Sequence, residues 1–306
     1  MMLAPIILFV YNRPEHTKKV LDALAANHLA SDSDLFIYAD GVKPNADKIL
    51  AEKVERVRQI IRSESRFNNV HIIESPVNKG LAKSVIGGVT EVITQYNKAI
   101  ILEDDLIASE FFLRFMNDAL NKFESAEEVV CISGYSYPVK KNVPELYFIK
   151  GADCWGWATW KRGWNIFEEK GEPLLKAIKE RQLENNFNFF GTYPYTQMLQ
   201  DQINGKNDSW AIRWYASAFI KDKLTLYPGK SFIQNIGFDG TGTHSGNLRP
   251  SETAFDKAYH ADFNIVIGED THTKRIISSY FYQNSKTRWL RKLKTGIRQL
   301  IGRYIQ

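Results

Sequence analysis

Short apolar runs alternate along the first third of the chain with segments whose apolar residues recur every three or four positions. Pro5 to Val10 is an unbroken apolar run, which predicts a strand covered on both faces. Tyr11-Asn-Arg-Pro14 predicts a turn, and Glu15 to Ala25 a helix with Val20, Leu21 and Leu24 on one face. Leu35 to Ala39 predicts a second strand that ends in Asp40-Gly41. Ala46 to Arg62 predicts a helix, Val70 to Glu74 a third strand, Asn78-Lys-Gly80 a turn and Leu81 to Gln95 a helix. Ala99 to Leu102 predicts a fourth strand, again buried on both faces. A helix follows from about Ser109-Glu110, carrying Phe111, Phe112, Phe115, Met116 and Leu120 at helical spacing. Strands in alternation with helices predict an α/β fold, a mostly parallel central sheet with crossover helices. Further on, Val129 to Ser133 and Leu224 to Tyr227 predict strands, and the segment from Asp208 through Ile220 a helix.

One stretch interrupts this pattern with chemistry. Glu103, Asp104 and Asp105 follow directly on the buried strand. Three carboxylates there repel one another and are costly to desolvate. The C-terminal ends of strands in an open α/β sheet are also where ligands bind. A divalent cation with a nucleotide diphosphate would offset the repulsion; an acidic solvated turn is the plain alternative. No GxGxxG follows the first strand, and no GK[ST] phosphate loop occurs, which disfavours the usual dinucleotide and P-loop folds.

Composition changes little except at the end of the chain. At 306 residues a sizeable core is expected, in one large domain or two intimate ones. An apolar fraction of 44% with 25% charged residues is that of a soluble globular chain. No apolar run is long enough to span a bilayer, and Ile6 to Val10 lacks a signal-peptide pattern. Cys131 and Cys154 suggest reduced, buried thiols rather than a disulfide framework, and so a cytosolic setting. The net charge of +5 hides an asymmetry. Residues 271–306 hold nine Lys or Arg and no acid, leaving 31 basic and 35 acidic residues for the rest. The body is mildly acidic and the tail strongly basic.

Four blocks in order carry a resemblance over roughly residues 5 to 245: Ile6-Ile-Leu-Phe-Val-Tyr-Asn-Arg-Pro14, Tyr38-Ala-Asp-Gly41, Asn78-Lys-Gly-Leu81 and Ile101-Leu-Glu-Asp-Asp-Leu106 with Phe111-Phe112. The chain resembles a GT-A glycosyltransferase, of the nucleotide-diphospho-sugar transferase fold. The third block is similar to the NxG turn of family 2 enzymes, and the fourth to the EDD block of the N-acetylglucosaminyltransferase I type. The resemblance implies a catalytic domain over 1–270, with a nucleotide-sugar half (1–106) and an acceptor half (107–270), and a separate tail over 271–306. It also implies Mn²⁺ or Mg²⁺ as cofactor, held directly by Asp105, with Asp104 and Glu103 on ribose and donor-sugar hydroxyls. Hard cations of this kind take oxygen ligands and stabilise a diphosphate leaving group. Asp40 would accept from the nucleobase imide, although Asp-Gly is also an ordinary turn. Arg13 suits the diphosphate because a guanidinium fork matches phosphate oxygens. Lys83 is a second phosphate candidate, or an exposed helix charge. The expected donor is a nucleotide-diphospho-sugar, with a UDP-sugar favoured.

The second half is rich in aromatics. Asp153-Cys-Trp-Gly-Trp-Ala-Thr-Trp160 is either a core segment or an aromatic wall for sugar rings, with Trp155 or Trp157 lining the site. An inverting transferase needs a carboxylate to take the acceptor hydroxyl proton. Asp208, in Asn207-Asp-Ser-Trp-Ala-Ile-Arg-Trp214, lies where the resembling family keeps this base. It is also a plausible helix N-cap. Asp201 and Asp153 stand in reserve. The glycine-rich segment from Ile236 to Gly246 suits a loop near a ligand, with His244 as a metal or diphosphate contact.

In the tail, Trp289, Leu290, Leu293, Ile297, Leu300, Ile301 and Tyr304 form one stripe of an amphipathic helix. Arg288, Arg291, Lys292, Lys294, Arg298 and Arg303 flank it. This is the pattern of a helix lying on an anionic leaflet, and a basic helix packed on the domain or a dimer partner is the alternative. Nothing beyond charge points to nucleic acid. The expectation is a metal-dependent inverting glycosyltransferase on the inner face of a cell membrane. Its acceptor is a glycan or lipid-linked glycan, as in surface-polysaccharide synthesis. A nucleotidylyltransferase of the same fold would need a basic Gly-rich loop after the first strand, which Tyr11-Asn-Arg-Pro14 does not supply. A non-catalytic sugar-binding protein is the rival from another class.

Overall fold

The computed structural model describes residues 3–239, 259 and 261–284. In order it forms β1 (Ile6–Val10), α1 (Pro14–Ala25), β2 (Asp34–Ala39), α2 (Lys48–Arg62), β3 (Asn69–Glu74), α3 (Leu81–Tyr96), β4 (Lys98–Glu103), β5 (Leu106–Ala108) and α4 (Phe112–Lys122). Then come β6 (Val129–Ser133), β7 (Leu146–Lys150), β8 (Trp157–Trp160), α5 (Lys161–Trp164), α6 (Gly171–Glu180), α7 (Glu184–Phe187), α8 (Tyr195–Ile203), α9 (Trp210–Ile220), β9 (Leu224–Pro228) and β10 (Ile233–Asn235). A last helix, α10, covers residues 271–284.

The apolar runs read as they do because the sheet is covered on both faces. Every residue of β1 is buried. Alternate side chains point to opposite faces, so Ile6, Leu8 and Val10 join one hydrophobic cluster while Ile7 and Phe9 join another. Strand β4 divides the same way, Ile100 and Leu102 to the first face, Ala99 and Ile101 to the second. Helices α1, α2 and α4 cover the first face through Leu21, Leu24, Val57, Ile61, Phe112 and Phe115. Helices α3 and α9 cover the second through Val85, Val89, Val92, Trp210 and Trp214.

The main sheet has eight strands in the order β3-β2-β1-β4-β8-β6-β9-β7. β3, β2, β1 and β4 are parallel. β8 is antiparallel to both its neighbours, β9 is parallel to β6, and β7 is antiparallel to β9. Only β8 and β7 therefore oppose the common direction. This is the mixed α/β fold, with a mainly parallel sheet and flanking helices, that the sequence predicts. Parallel pairing brings the C-terminal ends of β1, β2 and β4 to one edge. Phe9 is in register with both Tyr38 and Glu103. The residues that follow each strand, Tyr11–Arg13, Asp40-Gly41 and Asp104-Asp105, are thereby neighbours despite their separation in sequence.

Three expectations are decided or change. Of the two readings of the tryptophan-rich segment, the core holds for Trp157–Trp160, a fully buried strand wedged between β4 and β6. Helix α9 starts at Trp210, with Ser209 as its N-cap accepting from Ile212 N–H at 3.3 Å, so Asp208 is not the cap. The body does not stop at 270. Ile277 and Phe281 of α10 pack with Tyr147, Ile149, Phe187 and Phe219. The fully buried Lys274 ammonium pairs with Glu269 at 2.8 Å and lies near the rings of Phe189, Phe190 and Phe219. A buried ammonium is tolerable only with such partners. The tail stripe from Trp289 to Tyr304 lies outside the described residues. Among the described residues no helix is long and apolar enough to cross a membrane.

Candidate active site

The turn Glu103–Asp105 leaves β4 at the edge where β1 and β2 also end, and the first thing it meets is Arg13. The Arg13 guanidinium is mostly buried, and its Nη2 ion-pairs with Asp104 and, at 3.1 Å, with Asp105 Oδ2. The sequence showed three acids without a basic partner close by. The partner comes from 91 and 92 residues away, through the register of β1 on β4. The Arg13 Nη1 atom is buried without a partner, so its N–H donors remain to be matched. Burial alone would lower the Arg13 pKa, but the attraction of Asp104 and Asp105 outweighs it and raises it.

The acids are not equivalent. Asp104 is buried, whereas Glu103 and Asp105 are half-buried. Desolvation, with repulsion from Asp105 and Asp104 added, pushes the Glu103 carboxyl up to about 8. Desolvation also raises Asp104, against the pull of Arg13. The Trp210 side chain, close to Glu103, works weakly against the rise there. Trp210 is the first residue of α9, so the N-terminus of that helix lies near the acidic turn. Asp208 precedes Trp210 by two residues and is the most open carboxylate of the group, its side chain 69% exposed. Its charge partner is Arg213, whose guanidinium is buried and held by the carbonyls of Ser209 and Glu169 at 3.1 and 2.9 Å, with Asp208 at 3.5 Å. Sequence reasoning singled out neither Trp210 nor Arg213, although both lie in the block quoted for Asp208.

Asp40 has a different place from the one expected. Its Oδ1 accepts from the backbone N–H groups of Gly41 and Lys79, both at 2.8 Å. Its Oδ2 accepts from Asn78 Nδ2 and Gly80 N–H, both at 2.9 Å. A carboxylate has about four acceptor positions, and all are filled from within. A nucleobase imide would have to displace one of these bonds. Asp40 is thus a clamp that fixes the Asn78–Gly80 turn and the start of α3 against β2. Gly41 permits it, because any Cβ there would overlap the Val77 backbone. Lys83 is exposed on the first turn of α3 and makes no ion pair among the described residues.

The segment leaving β10 closes over the acidic turn. β10 pairs antiparallel with β5, and Ile236 N–H donates to the Asp105 carbonyl at 2.9 Å. Gly237 then passes so close to the Asp105 carboxylate that a Cβ would overlap Oδ2. Phe238 meets the edge of Trp155 at 5.8 Å, and Asp239 pairs with His16 of α1 at 3.2 Å. Trp155 is half-buried and packs edge-on against Tyr135. Trp157 does not line the site: it is fully buried and packs among Trp164, Trp210 and Trp214. His244 lies outside the described residues.

The reserve carboxylates are spoken for. Asp153 accepts from Cys154 and Trp155 N–H at 2.6 and 3.1 Å and from the Tyr227 hydroxyl at 3.0 Å, and burial raises its pKa. Asp201 pairs with Lys206 at 3.2 Å at the end of α8. Burial pushes the Cys131 thiol up to about 12 and raises Cys154 as well, so neither is a ready nucleophile.

Among the described residues no three His, Cys, Asp or Glu side chains are disposed to hold a metal ion by themselves. A magnesium-like cation needs only one or two protein carboxylates when phosphate oxygens and waters complete its shell. Asp105, half-buried at the rim, meets that need. The donor set therefore fits a cation that arrives with a diphosphate and not a self-contained metal cage.

No family model and no curated protein sequence matches the chain. Among solved structures it aligns with S. aureus TarS at 16% identity, over 47% of this chain and 23% of that one, with a TM-score of 0.31. With S. aureus TarS 1-349 in complex with UDP the values are 16%, 47%, 38% and 0.30. With S. aureus TarS 1-349 they are 10%, 75%, 59% and 0.38. The chain spans less than two thirds of each of these neighbours. Likeness of this extent leaves the fold to be judged from its own sheet order.

Proposed function

We propose that the chain is a metal-dependent inverting glycosyltransferase that uses a nucleotide-diphospho-sugar, a UDP-sugar first among the candidates. The observation that carries this reading is the convergence of Glu103–Asp105, Arg13 and the Asp208 end of α9 at the C-terminal edge of a mainly parallel sheet. Ligands of open α/β sheets bind at this edge.

In the proposed reaction, Arg13 turns its unmatched donors to the diphosphate, a geometry suited to a guanidinium. Asp105 holds the cation, which when bound neutralises charge that develops on the diphosphate. Asp104 and Glu103 take ribose and donor-sugar hydroxyls. An acceptor hydroxyl oxygen attacks the anomeric carbon opposite the diphosphate. The bond from that carbon to the β-phosphate oxygen breaks, its electron pair leaves with the diphosphate, and the hydroxyl proton passes to Asp208. A single displacement inverts the anomeric centre. The exposure of Asp208 leaves it open to an incoming hydroxyl, and Arg213 orients it. Trp155 offers a flat apolar surface for a sugar ring. The acceptor is a glycan or lipid-linked glycan, reached from the cytoplasmic face of a membrane on which residues 286–306 lie, in surface-polysaccharide assembly.

The test is a thermal-shift panel of sugar nucleotides with and without Mn²⁺. Stabilisation by at least one nucleotide sugar only with Mn²⁺ is expected. Stabilisation by none would overturn the proposal, and a response to nucleoside triphosphates alone would favour nucleotidylyl transfer.

A further inference from the structure

Arg13 already neutralises the carboxylate that a cation would take, its Nη2 at 3.1 Å from Asp105 Oδ2 while it also holds Asp104. We infer that Arg13 is an internal counter-ion that opposes a divalent cation at Asp105, and that a donor diphosphate draws it off. The consequence is cooperation between cation and nucleotide that this arginine sets. This inference rests on the glycosyltransferase reading of the same site.

The physical argument has three parts. A divalent cation alone meets a carboxylate already matched by a buried guanidinium, and the two cations repel at short range. Pulling Arg13 off Asp105 without a new acceptor would weaken its neutralisation while Nη1 stays unmatched, which is costly for a largely buried group. A diphosphate supplies such acceptors: Nη1 is already unpartnered, and a phosphate oxygen beside it can also take Nη2. The same movement opens Asp105, so each ligand prepares the site for the other. Gly237 also passes close to Oδ2, the oxygen that Arg13 holds, so that oxygen in particular is crowded until the guanidinium moves. Thermodynamic linkage makes the effect reciprocal, so UDP tightens Mn²⁺ by the factor by which Mn²⁺ tightens UDP.

The experiment measures Mn²⁺ binding by electron paramagnetic resonance on the full chain, with and without UDP. It uses the wild type, Arg13→Gln and Arg13→Lys, each checked for folding by circular dichroism. In the wild type UDP should tighten Mn²⁺ on the order of 5–150-fold, the usual range of a coupling between sites. Arg13→Gln should bind Mn²⁺ alone about tenfold more tightly than the wild type, while its binding with UDP is unchanged or weaker. Arg13→Lys keeps the charge and should bind free Mn²⁺ as weakly as the wild type, which separates charge from a loosened fold. Free Mn²⁺ binding that does not improve in Arg13→Gln, with UDP-dependent binding intact, would overturn the counter-ion role and leave the site reading standing. No Mn²⁺ binding by any protein even with UDP would overturn the site reading, and this inference with it.

Discussion

Replacing Asp40 with Asn separates a structural clamp from a base-reading residue. The carboxylate accepts four hydrogen bonds of 2.8–2.9 Å, two on each oxygen. An Asn side chain offers one oxygen. Whichever way the amide is turned, its NH₂ faces two donors, either Gly41 and Lys79 N–H or Asn78 Nδ2 and Gly80 N–H. A donor left without a partner costs about 1–3 kcal/mol, so two cost about 2–6 kcal/mol. Asn78, Lys79 and Gly80 are not fully buried, and water can reach part of the turn. The expected loss is therefore about 2–3 kcal/mol. Urea unfolding of wild type and Asp40→Asn measures it. Amide hydrogen exchange at Lys79 and Gly80 shows whether the loss is local opening of the turn. UDP affinity in the presence of Mn²⁺ should change little, because no acceptor position of Asp40 is free for the base. A stability change below about 0.5 kcal/mol, the range of an ordinary surface substitution, together with a large loss of UDP affinity, would refute the clamp.

Three other perturbations follow from the same geometry. Asp208→Asn should lower kcat by on the order of 10²–10⁴, with donor affinity nearly unchanged; steady-state kinetics and UDP titration check it, and surviving turnover would remove Asp208 from the chemistry. Gly237→Ala puts a Cβ into the Asp105 carboxylate, and should weaken Mn²⁺·UDP binding by calorimetry while the urea midpoint moves much less. Deleting residues 286–306 should leave donor hydrolysis intact and abolish salt-sensitive co-sedimentation with anionic vesicles, since basic residues near an anionic leaflet contribute about 1 kcal/mol each; equal sedimentation of both proteins would reject the membrane role.

What the sequence could and could not reveal follows from how each feature is encoded. β1, β4 and β6 were legible because strands covered on both faces are written as unbroken apolar runs. α1, α2 and α3 were legible from their apolar spacing, and their ends moved by only a residue or two. β8 was not, because Trp-Ala-Thr-Trp suits a buried strand and a sugar-binding wall alike, and only its pairing with Lys98–Ile101 decides. The long connections that hold α6, α7 and α8 also went unread, because their apolar positions are short and dispersed. At the site, the acids were visible as a cluster. Their counter-ion was not, because Arg13 reaches them only through the β1–β4 register. The capacity of Asp40 was invisible for a related reason: it depends on a turn nearly forty residues away in sequence.

The most direct test of the central claim is hydrolysis or transfer of UDP-sugars by the wild type and by Asp105→Asn, each with Mn²⁺ and with excess chelator. The account predicts metal-dependent turnover by the wild type, turnover abolished in Asp105→Asn at an unchanged melting temperature, and no turnover by either in chelator. Full activity of the wild type in excess chelator, or of Asp105→Asn with Mn²⁺, would contradict it.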